Sequence, residues 1–445
     1  MMAGRCWFKR ASAFAMGSPL WKNRYYILGL VAQKGLPLLI LPLIVDIFGR
    51  DVYGDYVLFF TMVQAYATIS SLAIPQTIVP LWFRRDQPLP FVGICIAMLG
   101  GLAVLFAIMM LAIVMIGETF TSGTHILPLP MSTLLSWIVV FALSYNLNTL
   151  AVGVARSQDR QYHFFWGMAA GGLVMAAGVG ICALIHVSSL HILILIQTLS
   201  IFTAAIVLFG RQPLAMLRFD LPTLRREWRS LLKFSLPLGC YTLLVLFSMG
   251  LDKWMARIWF SRDIFNTYVI DYQYAFAMVF VPTAINLYNG PRVSAYVARG
   301  QWDLLMQEER RAARLAIVGC LVVAVLMYIY AWISGLALSS GYWLLVAGFL
   351  FEGLYILRTN RLMAQLRSLR MLFISASGIA VYVMLLAIAA ASGSRLLLYL
   401  AVPTYLGITL ALALLYTKMK HDLVVGVDSQ AGRTESSGPG PARRS

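Results

Sequence analysis

The sequence predicts an all-α polytopic membrane protein: about twelve transmembrane helices in two six-helix lobes, related as parallel repeats around a central cleft. Three observations lead there. Hydrophobic residues make up 60% of the chain and charged residues 12%, with a mean hydropathy of +0.79. A soluble domain carries about 25% charged residues. Apolar runs long enough to cross a bilayer recur along the whole chain, and a segment that follows the first run returns after the seventh.

The runs read 25–48, 56–82, 90–116, 132–153, 163–185, 190–209, 233–252, 268–290, 313–335, 341–358, 371–391 and 396–417. Residues 1–24 lack a continuous apolar core and a small-residue cleavage site, so the first span is expected to direct insertion. That span holds Lys34, about 13 Å into the bilayer at 1.5 Å per residue. A cation at such depth costs about 2.5–3.5 kcal/mol on insertion scales and calls for a partner, a wet cavity or an anionic cargo. The second span lines up Gln64, Thr68 and Ser71, and the fourth carries Asn146, Asn148 and Thr149. Helix–helix hydrogen bonding accounts for these as well as substrate contact does. The longest connection, 210–232, divides the spans six and six.

The seventh span places Tyr241, Ser248 and Asp252 on one face, with Lys253 following. An interfacial ion pair accounts for Asp252 and Lys253 as well as a gate does. Asp271 opens the eighth span above Tyr274, Met278, Pro282 and Asn289, a stripe expected to face inward. In the tenth, Glu352 lies at a depth similar to Lys34, so the two are candidates to face each other across the cleft. A plain buried salt bridge is the alternative. Pro37, Pro42, Pro75, Pro80, Pro237 and Pro282 mark the first two helices of each half as hinged.

The expected boundaries are therefore a cytoplasmic segment 1–24, an N-lobe 25–209, a linker 210–232, a C-lobe 233–417 and a disordered tail 418–445. The repeat supports the division. Phe48-Gly49-Arg50-Asp51-Val52-Tyr53-Gly54-Asp55-Tyr56-Val57-Leu58 matches Phe260-Ser261-Arg262-Asp263-Ile264-Phe265-Asn266-Thr267-Tyr268-Val269-Ile270 at five of eleven positions.

The net charge of +17 is a topology signal and not a nucleic-acid footprint. Of 35 Lys and Arg, only Arg50, Lys253, Arg257, Arg262 and Arg395 fall in loops on the second side, and Lys34 lies within a span. The rest share the side of both termini, which the positive-inside rule makes cytoplasmic. The five cysteines show no disulfide or metal-ligand spacing. No Walker A run or catalytic constellation is present, so neither a cofactor nor an enzymatic reaction is expected.

The stretch Lys22 to Arg85 resembles the start of the polysaccharide repeat-unit (O-antigen type) flippases, in the multidrug/oligosaccharidyl-lipid/polysaccharide flippase superfamily. Its Gly49, Tyr53, Gly54 and Tyr56 fit that family's Gly-x-x-x-Tyr-Gly-x-Tyr pattern, Asp252-Lys253 its Asp-Arg/Lys element, and Arg156-Ser157-Gln158-Asp159-Arg160 its basic loop after the fourth helix. Asn266 departs from a frequent Gly. The resemblance implies an ion-gradient-coupled flippase in a bacterial inner membrane, moving a polyprenyl-diphosphate-linked oligosaccharide to the outer leaflet. Its expected partners are that glycan, membrane lipids and other polysaccharide-assembly proteins. Lys34, Gln64, Tyr241, Ser248, Asp271 and Tyr274 are then the substrate-binding candidates, with Glu352, Asp252 and Lys253 for coupling or gating. The competing readings are a drug or cation antiporter of the same superfamily and a membrane glycan polymerase or ligase. A major-facilitator carrier is disfavoured, because Phe83-Arg84-Arg85-Asp86-Gln87 stands where its Gly-x-x-x-Asp-Arg/Lys loop belongs.

Overall fold

A computed structural model describes residues 24–82, 88–120, 130–210, 221–298, 300–364 and 368–434. These residues are helical throughout, with no strand among them. We number the passages α1 (24–48), α2 (50–82), α3 (Pro88–Phe120), α4 (Met131–Ser157), α5 (Gln161–Ile185), α6 (Leu190–Phe209), α7 (Leu221–Trp259), α8 (262–298), α9 (Trp302–Ile333), α10 (Tyr342–Ala364), α11 (Ser368–Ser392) and α12 (Arg395–Thr434). Nine helices among the described residues are individually long and apolar enough to cross a membrane. The other three passages, α1, α2 and α8, are interrupted.

Each interruption has its own geometry. In α1 a π turn at Val31–Gly35 precedes a second break at Ile40, and the axes of 24–39 and of 41–71, which runs on across Gly49 into α2, differ by 49°. Leu72 and Ala73 take left-handed backbone angles and divide α2. A 3₁₀ turn at Ala277–Val279 splits α8, just before Pro282. Proline removes an amide donor and crowds the preceding turn, so breaks cluster around it. Pro237 and Pro403 are exceptions: α7 and α12 run through them without a break.

Helices α1–α6 pack mainly on one another, as do α7–α12, and the principal cross-lobe contacts join α1 and α2 to α7 and α8. Small residues set the spacing within a lobe. Gly171 of α5 lies against α6, where the Ser200 hydroxyl donates to its carbonyl at 2.7 Å. Backbones approach this closely because lipid offers no hydrophobic drive between helices, leaving packing and hydrogen bonds to hold them.

Several helices outrun their apolar stretches. Helix α7 begins at Leu221, inside the expected linker, and ends at Trp259, seven residues beyond the expected span. Helix α12 continues to Thr434 where a disordered tail was expected from 418. Once nucleated, a helix extends at little cost, and polarity alone does not stop it. Residues 1–23 and 435–445, which hold nearly all of the expected cytoplasmic segment 1–24, lie outside the described residues.

Candidate functional site

Lys34 sits in the π turn of α1. Such turns leave one residue outside the regular hydrogen-bond ladder and recur at functional sites. The turn rests on Gly172 of α5, where a Cβ would stand 2.8 Å from the Ala32 carbonyl oxygen. The side chain of Lys34 lies outside the described residues. Gln64, also in the N-lobe, hydrogen-bonds Tyr145 of α4.

Most of the other candidates converge in the C-lobe. Because α7 overruns its apolar stretch, Asp252 and Lys253 fall inside the lobe and not at a helix end, 0% and 2% exposed. Lys253 Nζ stands 3.3 Å from Asp252 Oδ1 and 3.3 Å from the centroid of the Tyr272 ring. The Tyr268 hydroxyl donates to the second Asp252 oxygen. Glu352 of α10 is buried with them, its charge within range of Lys253, Tyr241 and Tyr272. One ammonium thus stands against Asp252 and within the field of Glu352. Burying each ion costs several kcal/mol (roughly), which only close pairing and further hydrogen bonds offset. A desolvated cation–π contact adds about 2 kcal/mol.

The sequence offered Lys34 and Glu352 as candidates to face each other across a cleft, with a plain buried salt bridge as the alternative. In the structure Glu352 has a base of its own lobe in range, Lys253, since the phase of α10 turns position 352 toward α7 and α8. Tyrosines complete the network. Ser248 donates to the Tyr405 hydroxyl at 3.0 Å, Tyr241 hydrogen-bonds Tyr355, and Tyr355 meets Ser375 at 3.3 Å. Tyr274 is fully buried, in range of Tyr53 of α2 and Tyr330 of α9.

Asp271 stands apart from that cluster, toward the end of the bundle opposite the termini. It accepts from the Ser339 amide at 3.1 Å, the Ser339 hydroxyl and the Tyr399 hydroxyl at 2.7 Å.

The same far end holds a feature that sequence reasoning did not assemble. Arg262 at the start of α8 reaches across the lobe boundary to Asp51 (2.7 Å) and Asp55 (2.9 Å) at the start of α2. Asn266 donates to Asp51 at 2.7 Å, and Arg257 lies 3.7 Å from Asp55. Gly54 lets the two turns touch: a Cβ there would stand 2.7 Å from both Asn266 Oδ1 and the Phe265 ring. Nearby, the Trp254 indole donates to Thr61 at 3.1 Å and the Tyr330 hydroxyl to the Leu39 carbonyl at 2.5 Å. The available signal was opposite charge within the diverged repeat. Toward the termini the lobes meet again, where the Thr242 hydroxyl donates to Gln76 at 2.8 Å and Ala284 of α8 packs on the cluster containing Tyr26 and Leu30. The lobes thus touch at both ends of the bundle. Among the described residues no group of His, Cys, Asp and Glu is placed to hold a metal ion.

Neither a family model nor a curated protein sequence matches this chain. Solved structures do. A MATE in the straight conformation is 12% identical with a TM-score of 0.65, covering 89% of this chain and 94% of that one. An outward-facing multidrug resistance MATE family transporter of the MOP superfamily gives 11% and 0.65 over the same shares. A point mutant of the Vibrio cholerae MATE transporter VcmN gives 13% and 0.62, covering 91% and 96%. At these identities the likeness is one of fold. The chain is a multi-pass membrane protein with the two-lobed fold of MATE transporters.

Proposed function

We propose that this protein is a cation-coupled exporter that works by alternating access between its lobes, with both termini cytoplasmic. The observation that carries the reading is the buried cluster of Asp252, Lys253 and Glu352 within the C-lobe. Two acids around one base leave a negative surplus that a proton or metal cation would balance. Its members sit on α7 and α10, and α7 is one of the helices that meets the N-lobe. Loading or unloading a cation there changes the electrostatic balance of a helix at the lobe boundary, which is how a gradient would bias the two states.

For the cargo, the multidrug transporters among the structural neighbours favour an amphiphilic organic molecule exchanged against the cation. A second reading has its own observation: Lys34 in the broken turn of α1, with the flippase-like Gly49–Tyr56 segment beside it. There the cargo is a polyprenyl-diphosphate-linked oligosaccharide, and Lys34 attracts the diphosphate while the lipid tail stays in the bilayer.

Two assays decide. In proteoliposomes, gradient-driven movement of ethidium that falls about tenfold or more in Glu352→Gln supports antiport. In cells lacking the protein, cytoplasmic-side build-up of a polyprenyl-linked glycan, relieved by wild type but not by Lys34→Ala, supports the flippase. A protein active in neither assay sinks both readings.

A further inference from the structure

A cavity of about 350 Å³ opens at the far end of the C-lobe, outside the cluster described above. Its walls come from three helix connections: Asp263 and Thr267 of α8, Ser339 and Ser340 before α10, and Arg395 and Tyr399 of α12. Ser339 and Tyr399 in its lining are the residues whose hydroxyls donate to Asp271, which is itself 0% exposed. The two hydroxyls also meet each other, at 3.2 Å. A buried carboxylate therefore stands one hydroxyl away from a space that can hold water, on the face opposite the termini.

We propose that Asp271 is a proton-binding residue loaded from this cavity, and that its protonation releases the far-end lock between the lobes. The proposal rests on the exporter reading above. A hydronium in the cavity gives a proton to the Tyr399 or Ser339 hydroxyl oxygen as that hydroxyl passes its own proton to Asp271 Oδ2. Water remains in the cavity, and Asp271 becomes a neutral acid. The ionised Oδ2 accepts from Ser339 and Tyr399 together in charge-assisted bonds; once protonated it donates to the hydroxyl that passed the proton, whose own hydrogen then points to the cavity water, and both contacts become neutral and weaker. That loosens the tie between α8, the connection before α10, and α12. Arg262 and Asn266 of the lock lie nine and five residues earlier on the same helix, within about 14 Å.

The charged and titratable neighbours are consistent with a single acid here. On α8 they are Asp263 at the cavity wall and Tyr268, whose hydroxyl is committed to Asp252 of α7. On α10, Tyr342 faces Asp271 but donates to the Ala324 carbonyl at 2.8 Å. On α12 they are Tyr399 and Arg395. Among the described residues no other carboxylate hydrogen-bonds the pair of hydroxyls, and Asp263 supplies a built-in control.

The test is an infrared titration of the purified full-length protein in nanodiscs, which needs no cargo. Wild type is compared with Asp271→Asn and Asp263→Asn, in sodium-free buffer and with sodium added. A carboxylic-acid band that grows as pH falls, is absent in Asp271→Asn and persists in Asp263→Asn supports the proposal. A band unchanged in Asp271→Asn overturns it and leaves Asp271 a structural clamp; a band suppressed competitively by sodium overturns the proton assignment. In proteoliposomes with a pH difference of about one unit, wild type should accumulate ethidium up to about tenfold per proton exchanged, and Asp271→Asn should lose that accumulation. Accumulation unchanged in Asp271→Asn overturns the coupling role. If wild type moves no ethidium, the antiport reading fails while the infrared result still decides Asp271.

Discussion

The turn between α1 and α2 and the turn between α7 and α8 share a sequence pattern and offer each other opposite charge. Both pivot at the same repeat position. Gly49 has φ 82° and ψ 155°, and Ser261 has φ −63° and ψ 155°. Only the first needs glycine, because its φ lies where a side chain is strained. The charges have diverged further. The N-lobe turn offers Asp51 and Asp55, while its partner offers Arg262 and Asn266, with Arg257 just before. The pair that repeat symmetry would add, Arg50 with Asp263, does not form among the described residues, and Asp263 instead lines the cavity. The asymmetry leaves the N-lobe turn acidic toward its partner and the C-lobe turn basic, and ion pairs join the lobes at this end.

The sharpest way to break the comparison is to remove the same residue type from each turn. Arg262→Ala leaves Asp55, 2% exposed, without its closest base, which should cost about 2–3 kcal/mol at the lobe boundary. That figure is below the cost for a fully buried pair because Arg262 is 43% exposed. Arg50→Ala should stay within about 0.5 kcal/mol of wild type. Disulfide cross-linking of cysteines placed across the far end reads both: fast in wild type and Arg50→Ala, slowed in Arg262→Ala. Equal rates would mean the lock does not hold the lobes.

A steric version follows. Gly54→Ala drives a methyl into Asn266 and Phe265 and should cost about 1–3 kcal/mol. Gly100→Ala, in an open stretch of α3, should be neutral or slightly stabilising. Thermal unfolding in detergent separates them.

The smallest effect concerns acid. The Asn266 amide and the Arg262 guanidinium hold the exposed Asp51 carboxyl below its ordinary value. A lowered value means Asp51 supports closure above the ordinary carboxylate range and loses that support as pH falls through its folded value. The cross-linking rate should therefore decline less steeply below about pH 4 in Asp51→Asn than in wild type. Parallel declines would remove Asp51 from the lock.

The spans and the lobe plan were legible because a bilayer demands long apolar helices, and because the repeat fell at matching places. The helix ends were not. Asp252 and Lys253 read as a boundary, yet paired charges inside a protein lobe do not stop a helix, and α7 carries them inward. The lock was hidden for a related reason: Arg257 and Arg262 were counted as exceptions to a topology rule. Charge counting says which side of the membrane a residue occupies and nothing about its opposite number across a fold. The lateral direction of Glu352 needed the phase of α10, which spacing along one helix does not reveal.

Trp254 carries a consequence of a different kind. Its indole belongs to one lobe and its hydrogen-bond acceptor, Thr61, to the other. Parting the lobes takes away that acceptor and changes what surrounds the ring, so its emission must change with the state of the molecule. Subtracting the spectrum of Trp254→Phe from that of the native chain isolates one fluorophore among 11 tryptophans. The molecule thus contains its own optical gauge of opening, legible in real time and without a label.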